Sequence, residues 1–215
     1  MNVLEHDFIK VNMQGKSLYG GNQNLLSSKR FKGYACGLIG IANILAYNSH
    51  SKAGNTEIEE AEYVKLVKKL SHYIPVIPRF GINGMEMAIG LNIYFLTHGI
   101  KRVAIWNILP FNIFRIIEKS LNRDEPVVLA IGPNFPNLFG NKRLNFYKKQ
   151  GNDYTVCYTS KAHYVTVTAM DSKWMRISTW GEECYINREE YKKYMWKNSS
   201  PLFTNVLLLG KERKK

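Results

Sequence analysis

The sequence predicts an α+β fold in which helices come first and antiparallel strands last. Two observations predict this order. Apolar residues recur near helical spacing in segments that lie mostly before residue 122. After residue 125, β-branched and apolar residues fill short segments that are bounded by turn-forming residues. With 215 residues, of which 45% are hydrophobic, the chain can bury one good core. We therefore expect a single domain over residues 1–215, ending in a basic tail at 211–215.

Five segments carry helical patterns. The first is a mostly apolar run from Gly37 to Tyr47, directly after Cys36, and its composition predicts a buried helix. The second follows Thr56, whose side chain suits an N-cap. The four predicted helices after the first span residues 57–70, 85–96, 112–121 and 188–196.

Five further segments carry strand patterns, at residues 126–131, 163–169, 174–178, 184–186 and 205–209. The turn-like residues 171–173 separate the second strand from the third, so these two are predicted to form an antiparallel hairpin. Residues 132–153 contain several Gly, Pro and aromatic residues and are expected to be irregular. Long loops of this kind are often lids or substrate-binding segments, although their aromatic side chains can equally pin the loop to the core.

Cys36 stands where a helix begins, and this position can activate a thiol. The helix dipole and a neighbouring imidazolium both favour the thiolate, which is the nucleophilic form. The backbone N–H of Cys36 is also unpaired in the first turn and could hold the oxyanion of a tetrahedral intermediate. A cysteine in an apolar helix is, taken alone, more often a small buried hydrophobic residue. The prediction of a nucleophile therefore depends on the partners of Cys36.

His163 and the residues after it supply such partners. His163 opens a predicted strand, and the hairpin brings Ser178 back towards it. We predict that His163 is the general base, that Ser178 orients its imidazole, and that Trp180 covers their hydrogen bond and excludes water. A lone histidine at the head of a strand is more often structural, and Trp180-Gly181 could be ordinary core and turn. Nucleophile, base and orienting residue are recognised as a set.

The order of these residues resembles the papain-like cysteine peptidases. Gly37 after the cysteine, and the His-Tyr-Val start of the His163 strand, look most like the bacteriocin-processing (double-glycine leader) branch in stand-alone form. His163 follows Cys36 by 127 residues and Ser178 follows it by 142, close to the spacing of about 130–150 residues in the papain group. The resemblance covers about residues 19–210. It implies a helical N-terminal lobe that carries the Cys36 helix, packed on a C-terminal antiparallel sheet lobe that carries His163.

Two departures from the family's pattern concern the supporting residues. Papain-like enzymes generally carry Asn or Asp where this chain has Ser178, and a neutral hydroxyl orients an imidazole less firmly. They also usually place a Gln a few residues before the cysteine as the second oxyanion donor. Here Gln23 can serve if residues 25–34 form an inserted loop; otherwise Gln23 is a solvated turn residue after two glycines.

The resemblance implies a cysteine-dependent hydrolase that cuts a peptide or another amide through a Cys36 thioester. Its substrate would be a peptide or a small amide or thioester. The alternative is an acyltransferase, in which the same residues pass the acyl group to an amine. A second alternative is a non-catalytic basic binding protein with a decayed site, and Ser178 is the best argument for it.

The chain is strongly basic, with 30 Lys and Arg against 17 Asp and Glu and a net charge of +13. Basic clusters at 142–143, 148–149, 192–193 and 211–215 could contact nucleic acid or anionic lipid. No recognised nucleic-acid-binding pattern accompanies them, so we expect a solvated basic face and no nucleic-acid partner. No apolar run approaches the roughly 20 residues of a membrane span. The oligomeric state is left open.

Cysteine usage and the N-terminal residues predict a cytoplasmic location. Cys36, Cys157 and Cys184 form no C-x-x-C pair and cannot all pair with one another, which favours a reducing compartment. The first seven residues carry acids in place of the basic start of a secretory signal. The sequence contains no Walker loop, dinucleotide fingerprint or cluster of zinc ligands, so we expect no cofactor and no metal.

Overall fold

The computed structural model describes residues 2–27, 31–77, 81–108, 112–132, 142–200 and 204–210. In these ranges the helices are α1 (Cys36–Ser49), α2 (Glu60–Ser71), α3 (Gly84–Thr97), α4 (Ile113–Leu121) and α5 (Arg188–Asn198). The strands are β1 (Asn2–Val3), β2 (Lys10–Met13), β3 (Lys16–Tyr19), β4 (Glu57–Glu59), β5 (Val103–Trp106), β6 (Val127–Ile131), β7 (Leu144–Gln150), β8 (Asp153–Ser160), β9 (His163–Met170), β10 (Trp174–Thr179), β11 (Glu182–Asn187) and β12 (Val206–Gly210). Within the described part of the chain, no helix combines the length and apolar character needed to cross a bilayer.

The strands form two sheets. Nine of those described make one large antiparallel sheet in the order β5, β12, β6, β9, β10, β11, β7, β8, with β1 also paired to β9. A small sheet has the order β3, β2, β4, and its β2 and β4 run parallel. The predicted hairpin is confirmed, because β9 and β10 pair in antiparallel fashion. The α+β class is confirmed as well.

Two segments have a different structure from the one that the sequence predicts. The expectation of an irregular segment at residues 132–153 is wrong for residues 144–150, which form β7, and for Asp153, with which β8 begins. Leu144 and Phe146 are buried and alternate with more exposed residues, the pattern of a strand with one covered face. Residues 133–141 of that segment, and the predicted tail at 211–215, lie outside the described residues.

The second helix begins later than its sequence pattern predicts. Residues 57–59 form β4, which pairs with β2, and α2 starts only at Glu60. Helical spacing alone did not reveal this strand, because its partner β2 lies more than forty residues earlier in the chain.

Helix α1 packs against the large sheet and is buried on nearly all sides. Glycines permit this close approach. A Cβ at Gly40 would lie 3.0 Å from the Val128 side chain of β6, and a Cβ at Gly37 would lie 3.2 Å from Tyr164 Cδ2 of β9 and 2.6 Å from Met87 Sδ of α3. The first turn of α1 is thereby held beside the start of β9.

Candidate active site

Cys36 is the first residue of α1. Ala35, at the N-cap, makes no side-chain hydrogen bond to the helix, so no side chain caps the N–H groups of the first turn. Burial raises the pKa of the Cys36 thiol above its ordinary value, and backbone hydrogen bonds from Tyr164, Gly37 and Cys36 itself lower it only in part. The shift is therefore opposite in direction to the lowered thiol pKa that the helix start predicts.

His163 is the first residue of β9 and pairs with Ile131 of β6. Its side chain is buried, and burial lowers the pKa of the imidazole to about 3. The ring is therefore neutral near pH 7. Its Nε2 lies 2.8 Å from the Thr179 hydroxyl, while Nδ1 makes no hydrogen bond to any residue that the structure describes. If Nε2 carries the proton and donates it to Thr179, Nδ1 is free to act as a base.

The Trp-Gly element forms the turn between β10 and β11. Trp180 and Gly181 are its two central residues, and both have positive φ, of 49° and 76°. Positive φ at both positions is the requirement of a type I′ turn, which joins tightly paired strands. The turn places the Trp180 ring on the His163 imidazole, with ring centroids 4.4 Å apart and planes 16° apart. Trp180 thus covers one face of the imidazole.

Ser178 is buried but makes its hydrogen bonds elsewhere. Its hydroxyl donates to the Tyr19 carbonyl at 2.6 Å and lies 3.4 Å from Asn43 Nδ2. The hydroxyl that lies within hydrogen-bonding distance of His163 Nε2 is that of Thr179. The contact predicted for Ser178 is therefore made by its neighbour in sequence.

A β-bulge explains why Thr179, and not Ser178, contacts His163. The register of β9 against β10 shifts after Arg176, so that Ser178 pairs with Thr166. Cross-strand partners share a face of the sheet, and successive residues alternate between faces. Ser178 therefore lies on the face of Thr166, while Thr179 and His163 lie on the opposite one. Without the bulge, Ser178 would share the face of His163.

Gln23 begins a short 3₁₀ turn, Gln23–Leu25, and is only 6% exposed. The alternative of a solvated turn residue is therefore excluded. Its side chain lines the same narrow recess as Cys36 and His163. Its Oε1 is buried and has no hydrogen-bond partner among the described residues. Gln23 is thus a buried residue of the recess that Cys36 and His163 also line.

A second depression lies beside the same pair. Cys36 and His163 both line a groove of about 290 Å³, whose walls include Tyr34, Ile82 and Ile131. Apart from His163, no acidic or basic side chain among the described residues lines it. A groove of this composition suits an uncharged segment of substrate next to the thiol.

The described residues offer one group of potential metal ligands away from this site. Oxygen and nitrogen atoms of Glu5, His6 and Asp124 lie within 4.8 Å of one another. Asp124 already accepts hydrogen bonds from the Glu5 N–H at 2.8 Å and from the Tyr47 hydroxyl, and it lies 2.9 Å from His6 Nδ1. These bonds account for the cluster, and we assign it a structural role.

The rate of Cys36 alkylation by iodoacetamide is expected to rise with pH. Burial raises the pKa of this thiol and lowers the pKa of His163, so neutral pH does not produce an ion pair in the resting site. The thiolate fraction then grows about tenfold per pH unit below the thiol pKa. Mass spectrometry of labelled Cys36 between about pH 5 and pH 9 measures this. A rate that is constant across the range would instead reveal a thiolate–imidazolium pair.

Comparison with solved structures finds this fold in a crystal structure from Bacillus anthracis, described as a "putative C39-like peptidase". This likeness is consistent with the papain-like fold that the sequence predicts. The TM-score is 0.53 at 14% sequence identity, and the match covers 90% of this chain and 95% of the other. At that identity the likeness concerns the fold alone. No protein-family model and no curated protein matches the sequence.

Sequence reasoning missed two residues of the site, Thr179 and Asn43. Asn43 had a visible signal, because it is a polar residue in an apolar helix, seven positions after Cys36 and hence on the same helix face. Thr179 had none, because the bulge that selects it over Ser178 follows from the pairing of two strands.

Proposed function

We propose that the protein is a cysteine peptidase that hydrolyses an amide bond of a peptide through a thioester on Cys36. The observation that carries the proposal is the juxtaposition of Cys36 and His163 along one uncharged groove, with the imidazole fixed between Thr179 and Trp180. Nucleophile, base and orienting group occur together, which a structural cysteine does not require.

The proposed reaction starts from the neutral pair. His163 Nδ1 takes the thiol proton as Cys36 Sγ attacks the substrate carbonyl carbon, which forms a tetrahedral oxyanion. The C–N bond then breaks, and the imidazolium gives the proton to the leaving amine. A water molecule, deprotonated by the same nitrogen, attacks the thioester. The product acid leaves and the thiol regains its proton.

The supporting roles follow from the contacts of the site. Thr179 accepts the Nε2–H bond, which leaves Nδ1 without a proton and able to take one from the thiol. The Cys36 N–H and the Gln23 amide stabilise the oxyanion. Trp180 shields the imidazole, and the lower local dielectric strengthens its hydrogen bond. Ser178 supports the site from the neighbouring polar network and does not orient the ring.

Within the papain-like enzymes, we place the chain with the bacteriocin-processing branch. Gly37 after the nucleophile and the His-Tyr-Val start of β9 support this placement, and the fold likeness to a C39-like peptidase agrees with it. The three free thiols, at Cys36, Cys157 and Cys184, support a reducing compartment and hence the cytoplasm as the location.

A peptide digest tests the function. The protein is incubated with a mixture of synthetic peptides, with and without an added primary amine, and the products are identified by mass spectrometry. We expect fragments that end in free carboxylates, in proportions that the amine does not change. Conjugates between the amine and the acyl fragment would favour the acyltransferase instead. Intact peptides in both samples, with a folded protein, would contradict both enzymes.

Replacing Thr179 with valine is expected to lower kcat. Valine keeps the shape of threonine and removes the hydroxyl, so a buried Nε2–H is left without its acceptor. Such a loss costs about 1–3 kcal/mol, or about 5- to 150-fold in rate. Thr179→Ser keeps the hydroxyl and should restore most of the activity. Equal activity of the valine and serine variants would show that this hydroxyl does not orient His163.

A further inference from the structure

Asn43 is a buried amide in the middle of α1, where the other buried residues are glycine, alanine, aliphatic residues or tyrosine. It is 1% exposed. Two helical turns separate it from Cys36, so both side chains project from the same face of the helix. Burying an amide costs free energy unless its polar atoms are hydrogen-bonded. The partners of Asn43 therefore indicate its purpose.

Every hydrogen-bonding position of the Asn43 amide is used. Its Oδ1 accepts from the Gly21 N–H at 2.9 Å and from the Tyr63 hydroxyl at 2.7 Å. Its Nδ2 lies 3.3 Å from the Thr166 hydroxyl and 3.4 Å from that of Ser178. An amide offers two acceptor positions and two N–H groups, so these contacts fix its orientation. Asn43 thus connects α1 to β9, to β10 and to the segment around Gly21.

The backbone around Gly21 packs closely against this hydrogen-bond network. A Cβ at Gly20 would lie 2.4 Å from Ser178 Oγ. The Ser178 hydroxyl donates to the Tyr19 carbonyl at 2.6 Å. Two backbone groups shortly before Gln23 are therefore held by hydrogen bonds: the Tyr19 carbonyl and the Gly21 N–H.

We propose that Asn43 is a positioning residue: it holds Gly21 and thereby places the Gln23 amide as an oxyanion donor beside Cys36. This inference rests on the proposed function. The Gln23 Oε1 has no hydrogen-bond partner in the part of the chain that the structure describes, so the backbone sets the position of this side chain. Oxyanion donors are effective because they are preorganised. Loosening Gly21 therefore weakens the donor and leaves the nucleophile in place.

Two reactions of the Cys36 thiol distinguish a weakened oxyanion donor from a damaged nucleophile. Acylation of Cys36 by p-nitrophenyl acetate passes through an oxyanion, whereas alkylation by iodoacetamide is a displacement at carbon that forms none. Asn43→Ala is expected to slow acylation about tenfold, less than the 10²- to 10³-fold loss when a whole donor is removed. Alkylation should change less than about twofold, because it does not use the donor. Release of p-nitrophenolate and the mass of the Cys36 adduct give the two rates.

Matched variants sharpen the test. Tyr63→Phe keeps the packing and removes one bond to Asn43, so acylation should fall about threefold or less. Asn48→Ala is the control, because Asn48 lies on the same helix and bonds the Ile44 carbonyl and Glu125 instead. It should leave both rates unchanged. In a Gln23→Ala protein, Asn43→Ala should slow acylation no further, since the two residues act through one group.

Two results would overturn the positioning role. In the first, Asn43→Ala slows alkylation as much as acylation. In the second, Asn43→Ala slows acylation tenfold even in the Gln23→Ala protein. The proposed function fails differently: wild-type Cys36 would remain unacylated, or Cys36→Ala would release p-nitrophenolate as fast as the wild type. That outcome would remove the positioning role as well.

Discussion

Replacing Cys36 with alanine is expected to abolish peptide cleavage, with a loss of at least about 10³-fold. The reason is that no other thiol among the described residues lines the groove beside His163. Without the sulfur no thioester forms, and the remaining residues can only polarise the substrate carbonyl. Alanine is small and apolar and fits the start of α1, so the fold should be retained. Rates of fragment formation by mass spectrometry, with circular dichroism as the check on folding, measure the effect.

Cys157→Ala is the matched control for this experiment. Cys157 is a free, partly buried thiol on β8, and it does not line the groove. Its removal should leave cleavage within about twofold of the wild type. Comparable losses in the two variants, or full activity of Cys36→Ala, would show that the Cys36 thioester is not the intermediate.

Gly132→Ala is expected to destabilise the protein by about 3 kcal/mol or more. Gly132 follows β6 with φ of +73°, and a Cβ there would lie 2.0 Å from the Lys161 carbonyl oxygen. That oxygen also accepts a hydrogen bond from the Tyr194 hydroxyl at 2.7 Å, so the backbone cannot shift without a further loss. In a protein of this size, the melting temperature should fall by about 6–12 °C.

Gly151→Ala separates backbone strain from steric overlap. Gly151 has a similar φ of +63°, but a Cβ there would meet no atom within 4 Å. Only the cost of the left-handed conformation remains, about 1–2 kcal/mol. Thermal unfolding of both variants measures the difference. Equal falls in melting temperature would mean that the contact with Lys161 contributes nothing.

The sequence by itself determined the elements that depend on short-range patterns. The apolar run after Cys36 predicted α1, and the alternation after His163, with the turn at 171–173, predicted the β9–β10 hairpin. These signals lie within a few residues of one another and reflect helix and strand periodicity, which the tertiary structure did not override. The α+β class follows from them, and so does the choice of Cys36 and His163 as candidates, whereas the five strands β1 to β5 that lie before α4 were not predicted.

The tertiary structure alone decided which neighbours support the pair. The bulge after Arg176 moves Ser178 to the opposite face of the sheet and gives the imidazole contact to Thr179. Burial reverses the expected direction of the thiol pKa shift. Asn43 accepts a hydrogen bond from the Gly21 N–H, twenty-two residues earlier in the chain, and so ties α1 to the segment that leads to Gln23. Register, desolvation and long-range hydrogen bonds arise only when distant segments pack together, and no local pattern encodes them.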